Sequence, residues 1–461
     1  MRPAFAGPYL ERGEPGFEQA AVGRVFNGRR PADRRPEAVL LAADETDVQA
    51  GVRYAAERGW QVAVRSGGHS WAAWSLRNGT LLIDLAALND IRYDAETGIV
   101  AAGPAVKGGD ELSPFLEERG RFFGGGHCPS VGIGGFLLQG GQGSNARGWG
   151  WAAEQITAVD VVTADGELVR ADEDSHADLY WAARGAGPTF PGVVTRFHLR
   201  TRPLHRFLAS TVQIYPVELV EEVLVWLYSI HADVAPTVEI VAVSMTPPAA
   251  DGPAERVFLV SALAFTADED EADAALAPFR TSPVLDRALA VVDAAPTTLA
   301  AQRADQVRAN PEHARYLVDN GWADGEPAQV AEALRPLFVD LPTPASFTIW
   351  FSMAPLRPLP DMAFSLQTDA YVASYCIAGD EDEDEQIRRW LADAWRAAQP
   401  VTAGQYLGDS DMTTRQLRVL GDAQWERLQQ VIDDRDPEGR FVRYLAAEPT
   451  TVNRNHWEVP R

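Results

Sequence analysis

Short apolar runs separated by turn residues dominate the first half of the chain. Between residues 37 and 206 they predict five β-strands, at residues 62–64, 81–85, 99–101, 159–162 and 193–197. Asp44 to Asp47 precede an amphipathic stretch at 48–58, which is typical of a capped helix. Strands mixed with a helix predict an α/β or α+β lobe.

The second half has another pattern, with longer alternating strands set further apart. Strands are predicted at 209–215, 238–245, 257–264, 348–353 and 370–377, and helices at 216–229, 269–280 and 425–432. Many strands with a few helices predict an antiparallel sheet covered by helices, and the change of pattern places a domain boundary near residue 205. The acidic run at 380–385 predicts a solvated loop or a helix start.

Length and composition describe an ordinary globular protein. The chain has 461 residues, of which 46% are hydrophobic and 23% charged. No apolar run reaches the roughly 18 residues of a membrane span, and the N-terminus lacks the layout of a secretory signal. We therefore expect a cytoplasmic protein that has no membrane partner.

Charge and rare residues exclude several classes of chemistry. A net charge of -24 without a basic stripe disfavours nucleic acid as a partner and favours a neutral or cationic substrate. Lys107 is the single lysine, and its surroundings fit neither a P-loop nor a pyridoxal site. The two cysteines, Cys128 and Cys376, are too few for a disulfide scaffold or a C-x-x-C zinc site, so no metal is expected.

Glycine is concentrated where a ligand could approach the backbone. Twelve of the 38 glycines lie between residues 120 and 150, around Cys128. A second segment, residues 65–70, follows a predicted strand and could offer a nest of amides to a pyrophosphate. The stretch from Gly141 to Ala146 matches G-x-G-x-x-A, but no amphipathic helix follows it, which argues against a Rossmann site.

Three motifs resemble those of the berberine bridge enzyme family, a branch of the flavoproteins related to vanillyl-alcohol oxidase. They are Arg65-Ser66-Gly67-Gly68-His69-Ser70, residues 128–135 (CPSVGIGG) and residues 179–187 (LYWAARGAG). The stretch 434–441 resembles the family's closing D-P-x-x-x-F element. The resemblance implies an α+β fold with two lobes: a PCMH-type FAD-binding domain at 1–205, a substrate domain at 206–403, and a C-terminal segment, 404–461, that returns to the FAD domain.

The resemblance implies a covalently held FAD. By motif position, His69 would bond to the 8α carbon of the flavin and Cys128 to C6, although a lone histidine or cysteine is more often a loop or core residue. We expect the turn at 132–135 to lower the pKa of the Cys128 thiol. The other expected cofactor-binding residues are Arg65, Ser66, Gly67, Gly68, Ser70, Val131, Gly132, Gly134, Gly135, Gly141, Gly143, Asn145, Val193 and Val194.

The catalytic residues are less well defined because the chain departs from the family there. The family's Y-x-N-Y-x-D motif reads Tyr406-Leu407-Gly408-Asp409-Ser410-Asp411, and Gln367 stands where an Arg or His often follows A-F-x-x. Tyr371 and Tyr375 share one face of a predicted strand. The catalytic candidates are therefore Tyr406, Tyr371, Tyr375 and Gln367, with core aromatics as the alternative interpretation of Tyr371 and Tyr375.

The implied function is an FAD-dependent oxidase. It would transfer a hydride from an alcohol, sugar or phenolic small molecule to the flavin, and O2 would be the electron acceptor and yield H2O2. Val131 matches a position where a small side chain leaves room for O2, which favours an oxidase over a dehydrogenase. A non-redox cyclase of the same fold and a ligand-binding protein without catalysis remain alternatives.

Overall fold

The computed structural model describes residues 3–247, 255–412 and 414–444. Numbered along the chain, its strands are β1 (Tyr9–Glu11), β2 (Ala38–Leu41), β3 (Gln61–Arg65), β4 (Thr80–Asp84), β5 (Ile91–Asp94), β6 (Ile99–Ala102), β7 (Arg121–Phe122), β8 (Ile156–Val162), β9 (Leu168–Ala171), β10 (Val193–Arg200), β11 (Arg202–Pro203), β12 (Phe207–Pro216), β13 (Val238–Met245), β14 (Val257–Thr266), β15 (Ala290–Pro296), β16 (Arg315–Ala323), β17 (Phe347–Ser352), β18 (Ala370–Ala378) and β19 (Thr402–Gly404).

Apart from α2, the α-helices described before β12 are shorter than those after it. They are α1 (Phe17–Val22), α2 (Glu45–Arg58), α3 (Ser113–Glu117), α4 (Ile133–Leu138), α5 (Ala146–Trp149), α6 (Ala177–Ala182), α7 (Val220–Ile230), α8 (Glu269–Leu276), α9 (Leu299–Ala309), α10 (Pro327–Val339), α11 (Asp384–Ala398) and α12 (Asp422–Arg435). In the described residues, no helix has the length and hydropathy of a membrane span.

A small sheet near the N-terminus carries the first glycine motif. Its strand order is β1-β2-β4-β3, and β2, β4 and β3 run parallel. Helix α2 covers it, beginning where the Asp44 side chain accepts the amide of Asp47. The chain returns to this sheet near its end: the amide of Val62 donates to the Arg440 carbonyl at 2.7 Å, and the amide of Val442 donates to the Val62 carbonyl at 3.1 Å.

A second sheet lies beside the first, and a two-stranded pair accompanies it. Its five strands are antiparallel in the order β5-β6-β10-β8-β9, while β7 pairs with β11. Phe197 and Leu199 of β10 are buried against Val159 and Val161 of β8 in one apolar cluster. Strand β10 therefore joins the second sheet to the glycine-rich stretch, whose Ile133 lies in the same cluster.

The second half of the chain folds into one antiparallel sheet of eight strands. The order is β15-β12-β14-β13-β17-β18-β16-β19, and helices α7, α8, α10 and α11 pack on one face. The alternation of β13 explains this, because Val238, Ile240 and Ala242 point into the helix-covered core. The α+β class and the helix-covered antiparallel sheet are confirmed.

Two local expectations can be compared directly with the structure. The acidic run at 380–385 does include a helix start, since α11 begins at Asp384, yet Asp384 is buried rather than solvated. Its carboxylate pairs with Arg315 through two hydrogen bonds of 2.7 and 2.8 Å. In the C-terminal segment, residues 445–461 lie outside the described residues.

Candidate active site

A cavity of about 1180 Å³ lies between the two small sheets and the face of the large sheet opposite helices α7, α8, α10 and α11. It is larger than most single-ligand pockets, which hold about 300–1,000 Å³. Both glycine motifs line it, together with side chains from β13, β14, β17 and β18. The cavity thus has room for a large cofactor and a substrate side by side.

His69 and Cys128 meet at one hydroxyl group in this cavity. The Oγ atom of Ser130 lies 3.1 Å from Nε2 of His69 and 3.7 Å from Sγ of Cys128. The ring of Phe26 stacks on His69 with the ring centroids 4.2 Å apart. Two residues that are 59 positions apart in the sequence are therefore held as neighbours on the same wall.

The pKa values of His69 and Cys128 are shifted in opposite directions, which affects how readily each can act as a nucleophile. Burial, reinforced by the charge of Lys107, lowers the pKa of His69 to about 4, so the imidazole is neutral at physiological pH. Burial raises the pKa of the Cys128 thiol, although the Ser130 hydroxyl opposes this. The histidine is ready to act as a nucleophile, whereas the cysteine must first lose a proton.

The expectation that the turn at 132–135 lowers the pKa of Cys128 is wrong. Burial raises the pKa of this thiol instead, and the amides of Ile133, Gly134 and Gly135 donate to other acceptors, so these three do not stabilise a thiolate. Those acceptors are the Val106 carbonyl for Ile133 at 2.9 Å, the Pro104 carbonyl for Gly134 at 2.9 Å, and Ser66 Oγ for Gly135 at 3.3 Å.

The two glycine motifs touch each other through their backbones. A Cβ added to Gly67 would lie 2.6 Å from the amide nitrogen of Gly132, which only glycine avoids. Gly68 has a φ of +79°, and a Cβ there would meet the Arg24 carbonyl oxygen at 1.9 Å. Glycine at these positions lets the two loops close together under the cavity floor.

A carboxylate surrounded by aromatic donors faces His69 and Cys128 from the C-terminal segment. Asp409 accepts a hydrogen bond from the Tyr371 hydroxyl at 2.9 Å and one from the indole of Trp71 at 3.3 Å. Tyr375 also hydrogen-bonds to it. Burial raises the pKa of Asp409, and these donors act in the opposite direction by stabilising its charged form. Asp409, Tyr371, Tyr375 and Trp71 are called the carboxylate cluster below.

Tyr406 borders the carboxylate cluster and is fixed at both ends. The side-chain amide of Asn320 brackets its backbone, accepting from the Tyr406 amide at 2.7 Å and donating to its carbonyl at 2.8 Å. The Tyr406 hydroxyl accepts the amide of Gln142 at 3.2 Å. Burial raises the pKa of this hydroxyl, so it stays protonated.

A second ionisable pair lies next to Cys128. The Nε2 atom of His127 is 3.1 Å from both carboxylate oxygens of Glu239 on β13. Glu239 also accepts the backbone amide of Asn145. Burial lowers the pKa of His127, but the attraction of Glu239 outweighs it and the net shift is upward.

Most of the residues that the sequence assigned to the site line the cavity. They are His69, Cys128, Arg65, Ser66, Gly67, Gly68, Ser70, Val131, Gly132, Gly134, Gly135, Val194, Tyr375 and Tyr406. The Arg65 side chain has another partner, because its guanidinium donates to Asp84 at 2.6 and 2.9 Å and to two backbone carbonyls. Its charge is therefore used within the fold and is not available to a phosphate.

Three predicted cofactor residues lie behind the cavity wall, where they support it. Gly143 packs against the Gly124 carbonyl, and Gly141 contacts Phe136 and Ala152. The side chain of Asn145 donates to the Pro236 carbonyl at 2.8 Å. These residues join the glycine-rich segment to its neighbours.

Val193 and two of the catalytic candidates also lie off the cavity surface. Val193 belongs to the apolar cluster under the first sheet. Gln367 accepts from the Trp151 indole at 3.0 Å and donates to the Arg357 carbonyl at 3.1 Å, so its amide is occupied away from the site. Tyr371 reaches Asp409 from behind it and acts on the site through that carboxylate.

Comparison with known proteins gives a consistent answer. The family model described as FAD binding domain matches residues 36–172. The FAD-linked oxidoreductase ptmO of Penicillium ochrochloron is 36% identical over 439 residues, which cover 94% of this chain and 95% of that protein. This chain belongs to the FAD-linked oxidoreductases. The xylooligosaccharide oxidase of Thermothelomyces thermophilus is 40% identical over a shorter stretch of 178 residues, 38% of this chain and 35% of that protein.

The fold of this FAD-linked oxidoreductase agrees with the resemblance found in its motifs. A solved variant of berberine bridge enzyme superposes with a TM-score of 0.79 at 16% identity, covering 94% of this chain and 95% of the other. Identity this low shows the shared fold alone. The predicted relation to the berberine bridge enzyme family is confirmed.

The residues of the cavity fit FAD. Within the described part of the chain, the amides of residues 67–70 donate to no protein acceptor, which leaves a row of N–H groups for a pyrophosphate. The position of a Cβ on Gly135 is open space, so a flat ring can lie against the backbone there. His69 and Cys128 are the residues that would hold the flavin ring.

The sequence analysis missed Asp409 and the pair formed by His127 and Glu239. Asp409 stands at the position of the second tyrosine in the family's Y-x-N-Y-x-D pattern. The sequence showed that the tyrosine was replaced, but it did not show that Asp409 accepts hydrogen bonds from aromatic residues in the site. Glu239 is the single charged residue in an otherwise apolar strand, which is a signal that sequence reasoning can use.

Proposed function

We propose that this FAD-linked oxidoreductase is an oxidase of small-molecule alcohols, sugars or phenols, with FAD bonded to both His69 and Cys128. Bound FAD supplies the redox chemistry: it accepts a hydride from a substrate carbon and passes two electrons to O2, which becomes H2O2. The protein supplies attachment, orientation and proton transfer.

The observation that carries this proposal is the convergence of His69 and Cys128 on Ser130. The 8α carbon is a methyl substituent of the same flavin ring that contains C6, so two residues that bond to these atoms must be neighbours. The Ser130 hydroxyl contacts both side chains. Two residues with purely structural roles would not need to be neighbours in a cavity that also offers the unpaired amides of residues 67–70.

Attachment needs a deprotonated nucleophile at each position. His69 meets this condition, since burial keeps its pKa at about 4. Cys128 must give up its proton, and the Ser130 hydroxyl is the neighbour that stabilises a thiolate. Each attachment would replace a flavin C–H bond and the N–H or S–H bond of the side chain with a C–N or C–S bond, and O2 would take up the two electrons and two protons released as H2O2.

The carboxylate cluster is the group that removes the substrate proton. Asp409 is held as an acceptor by three donors, and the Tyr375 hydroxyl that bonds to it also faces the cavity. A substrate hydroxyl gives its proton to Tyr375 Oη while Tyr375 passes its own proton to an Asp409 carboxylate oxygen. Burial raises the pKa of Tyr375 well above its usual range, so this tyrosine relays a proton and does not store charge.

Support for an oxidase comes from the relatives and from the cavity wall. The xylooligosaccharide oxidase aligns over a stretch of 178 residues. Val131 lines the cavity three residues after Cys128, where a small side chain leaves space for O2. The wide cavity is compatible with alcohols, sugars and phenols, the substrate classes that the family resemblance implies.

The test is a panel of alcohols, sugars and phenols with O2 uptake and H2O2 release measured together. We expect equal amounts of O2 consumed and H2O2 formed for at least one class. Reduction by substrate followed by reoxidation with quinones but not with O2 would make the protein a dehydrogenase. Product formation without any O2 uptake would make it a non-redox cyclase.

A further inference from the structure

Glu239 interrupts an apolar surface that faces the cavity. Along β13, every second side chain points away from the helices, and the cavity-facing row is Glu239, Val241, Val243 and Met245. Burying a carboxylate among apolar groups is costly unless it is paired. His127 and the amide of Asn145 are the partners that Glu239 has there.

His127 has one nitrogen fixed and one nitrogen directed to the cavity. Glu239 holds Nε2 at 3.1 Å through both of its oxygens. Among the described residues, Nδ1 of His127 has no hydrogen-bond partner, and the residue lines the cavity beside the ring of Phe351, whose centroid is 5.2 Å away. A histidine oriented by a carboxylate, with its other nitrogen open, is the usual arrangement of a group that acts on a ligand.

The protonation state of His127 decides whether Nδ1 donates or accepts a hydrogen bond. Glu239 raises the pKa of the ring, and the more distant Asp409 acts in the same direction. Both carboxylates therefore shift the ring toward the imidazolium form, in which Nδ1 carries a proton. It is a charged donor that faces the cavity next to Cys128, the residue that would hold the flavin.

We propose that His127 is a specificity-determining residue that donates a hydrogen bond from Nδ1 to an oxygen atom of the substrate, and that Glu239 is the positioning residue that orients it. The inference rests on the proposed function only for the nature of the ligand, an oxygen-bearing small molecule. An analogue without that oxygen would leave a buried charged donor unpaired, which a polar site rejects strongly.

The test is binding, measured without turnover. The probes are acetophenone, whose ketone oxygen accepts a hydrogen bond and which has no hydride to give, and α-methylstyrene, in which a CH2 group replaces that oxygen. Each is titrated into the flavin-loaded enzyme and followed by the flavin absorbance difference spectrum. We expect acetophenone to bind about 10 to 100 times more tightly, the ratio that one hydrogen bond to a charged group supplies.

Variants then assign the preference to the pair. His127→Phe and Glu239→Gln should bring the two dissociation constants together by weakening acetophenone alone, while His127→Gln, which keeps an N–H donor, should retain part of the preference. The matched control is His198→Phe, because His198 pairs with Asp160 at 3.2 Å outside the cavity. Unchanged melting temperatures show that the variants are folded.

Two results would overturn the inference. One is a wild-type enzyme that binds both probes equally or binds neither, and the other is an undiminished preference in His127→Phe. Either can occur while H2O2 is still produced from a panel substrate. Conversely, a clear probe preference in an enzyme that oxidises nothing in the panel would refute the proposed function and leave this inference standing.

Discussion

Replacing Arg147 should weaken the contact between the FAD-binding half and the large-sheet half and lower the free energy of unfolding. Arg147 is 4% exposed and lies in α5, just after the glycine-rich segment. Its guanidinium makes five hydrogen bonds of 2.7–3.0 Å to carbonyls of the large-sheet half, those of His231, Val234, Ala235, Val238 and Ala354. Its pKa falls to about 10 through burial and remains far above neutral, so the charge is kept.

The expected loss follows from these contacts. Arg147→Met preserves the aliphatic stem but removes all five hydrogen bonds, and of the five carbonyls that of Ala235 keeps the Val238 amide as a donor at 3.0 Å. Hydrogen bonds to charged groups contribute about 1.5–3 kcal/mol each, and they do not add, since water can reach some of the carbonyls. We expect the free energy of unfolding to fall by about 3–5 kcal/mol, the range for removing one partner of a buried charged contact. The melting temperature should fall by roughly 3–5 °C, because a chain of this length has a large entropy of unfolding.

Thermal unfolding of the flavin-loaded protein measures this, and the matched control is Arg280→Met. Arg280 pairs with Asp273 and Asp293 at the surface, where such contacts contribute about 1 kcal/mol or less. Arg147→Lys keeps the charge but offers fewer donors in a different geometry, so an intermediate loss is expected. If Arg147→Met and Arg280→Met have the same melting temperature, the five hydrogen bonds of Arg147 do not hold the two halves together.

Four further predictions concern the attachment of the flavin, its dependence on pH, the acceptor of the substrate proton and the C-terminal return. His69→Ala and Cys128→Ala should each keep flavin in an acid-precipitated pellet and the double variant should release it, while peptide mass spectrometry that finds no adduct would contradict the attachment. The Cys128 adduct should increase with pH because burial raises the thiol pKa, whereas attachment at His69 should be constant above about pH 5 because its pKa is about 4. Asp409→Asn should reduce kcat by about 10² to 10⁴, measured by O2 uptake, and an unchanged kcat would exclude the carboxylate as proton acceptor. Asp436→Ala removes the acceptor of the Phe441 amide at 3.0 Å and should lower the unfolding free energy by about 1–2 kcal/mol, measured in urea; an unchanged midpoint would show that the return to β3 is held elsewhere.

A strand with a nearly continuous apolar run was predictable from the sequence, and one interrupted by several polar residues in succession was not. The predicted strand at 238–245 coincides with β13, whose apolar run is interrupted only by Glu239 and Ser244. Strand β16 was missed, since Asp319, Asn320 and Gly321 interrupt its apolar pattern. Asp319 pairs with Arg415 at 2.8 Å, and Asn320 brackets the backbone of Tyr406, so both are polar because they serve partners distant in the sequence.

The same limit applies to the candidate site. His69 and Cys128 were accessible because each lies in a short motif whose glycine spacing is itself a signal. The carboxylate cluster joins Trp71, Tyr371 and Asp409, and the contact between Trp71 and Asp409 spans 338 residues. Nothing local in the sequence marks such a contact, so the cluster became visible only when the C-terminal segment was placed against the large sheet.

The cavity carries two ionisable groups whose partners suit them to opposite tasks. Burial raises the pKa of Asp409 while its donors oppose that rise by stabilising the charged, proton-accepting form, and Glu239 raises the pKa of His127 against the effect of burial, which favours the proton-donating form. Each of the two charges also stabilises the other across the cavity. A group that binds an oxygen must donate, and a group that removes a proton must accept, so one residue cannot do both for the same substrate at the same moment. Placing the two tasks on separate residues lets the substrate be oriented between them before its proton leaves.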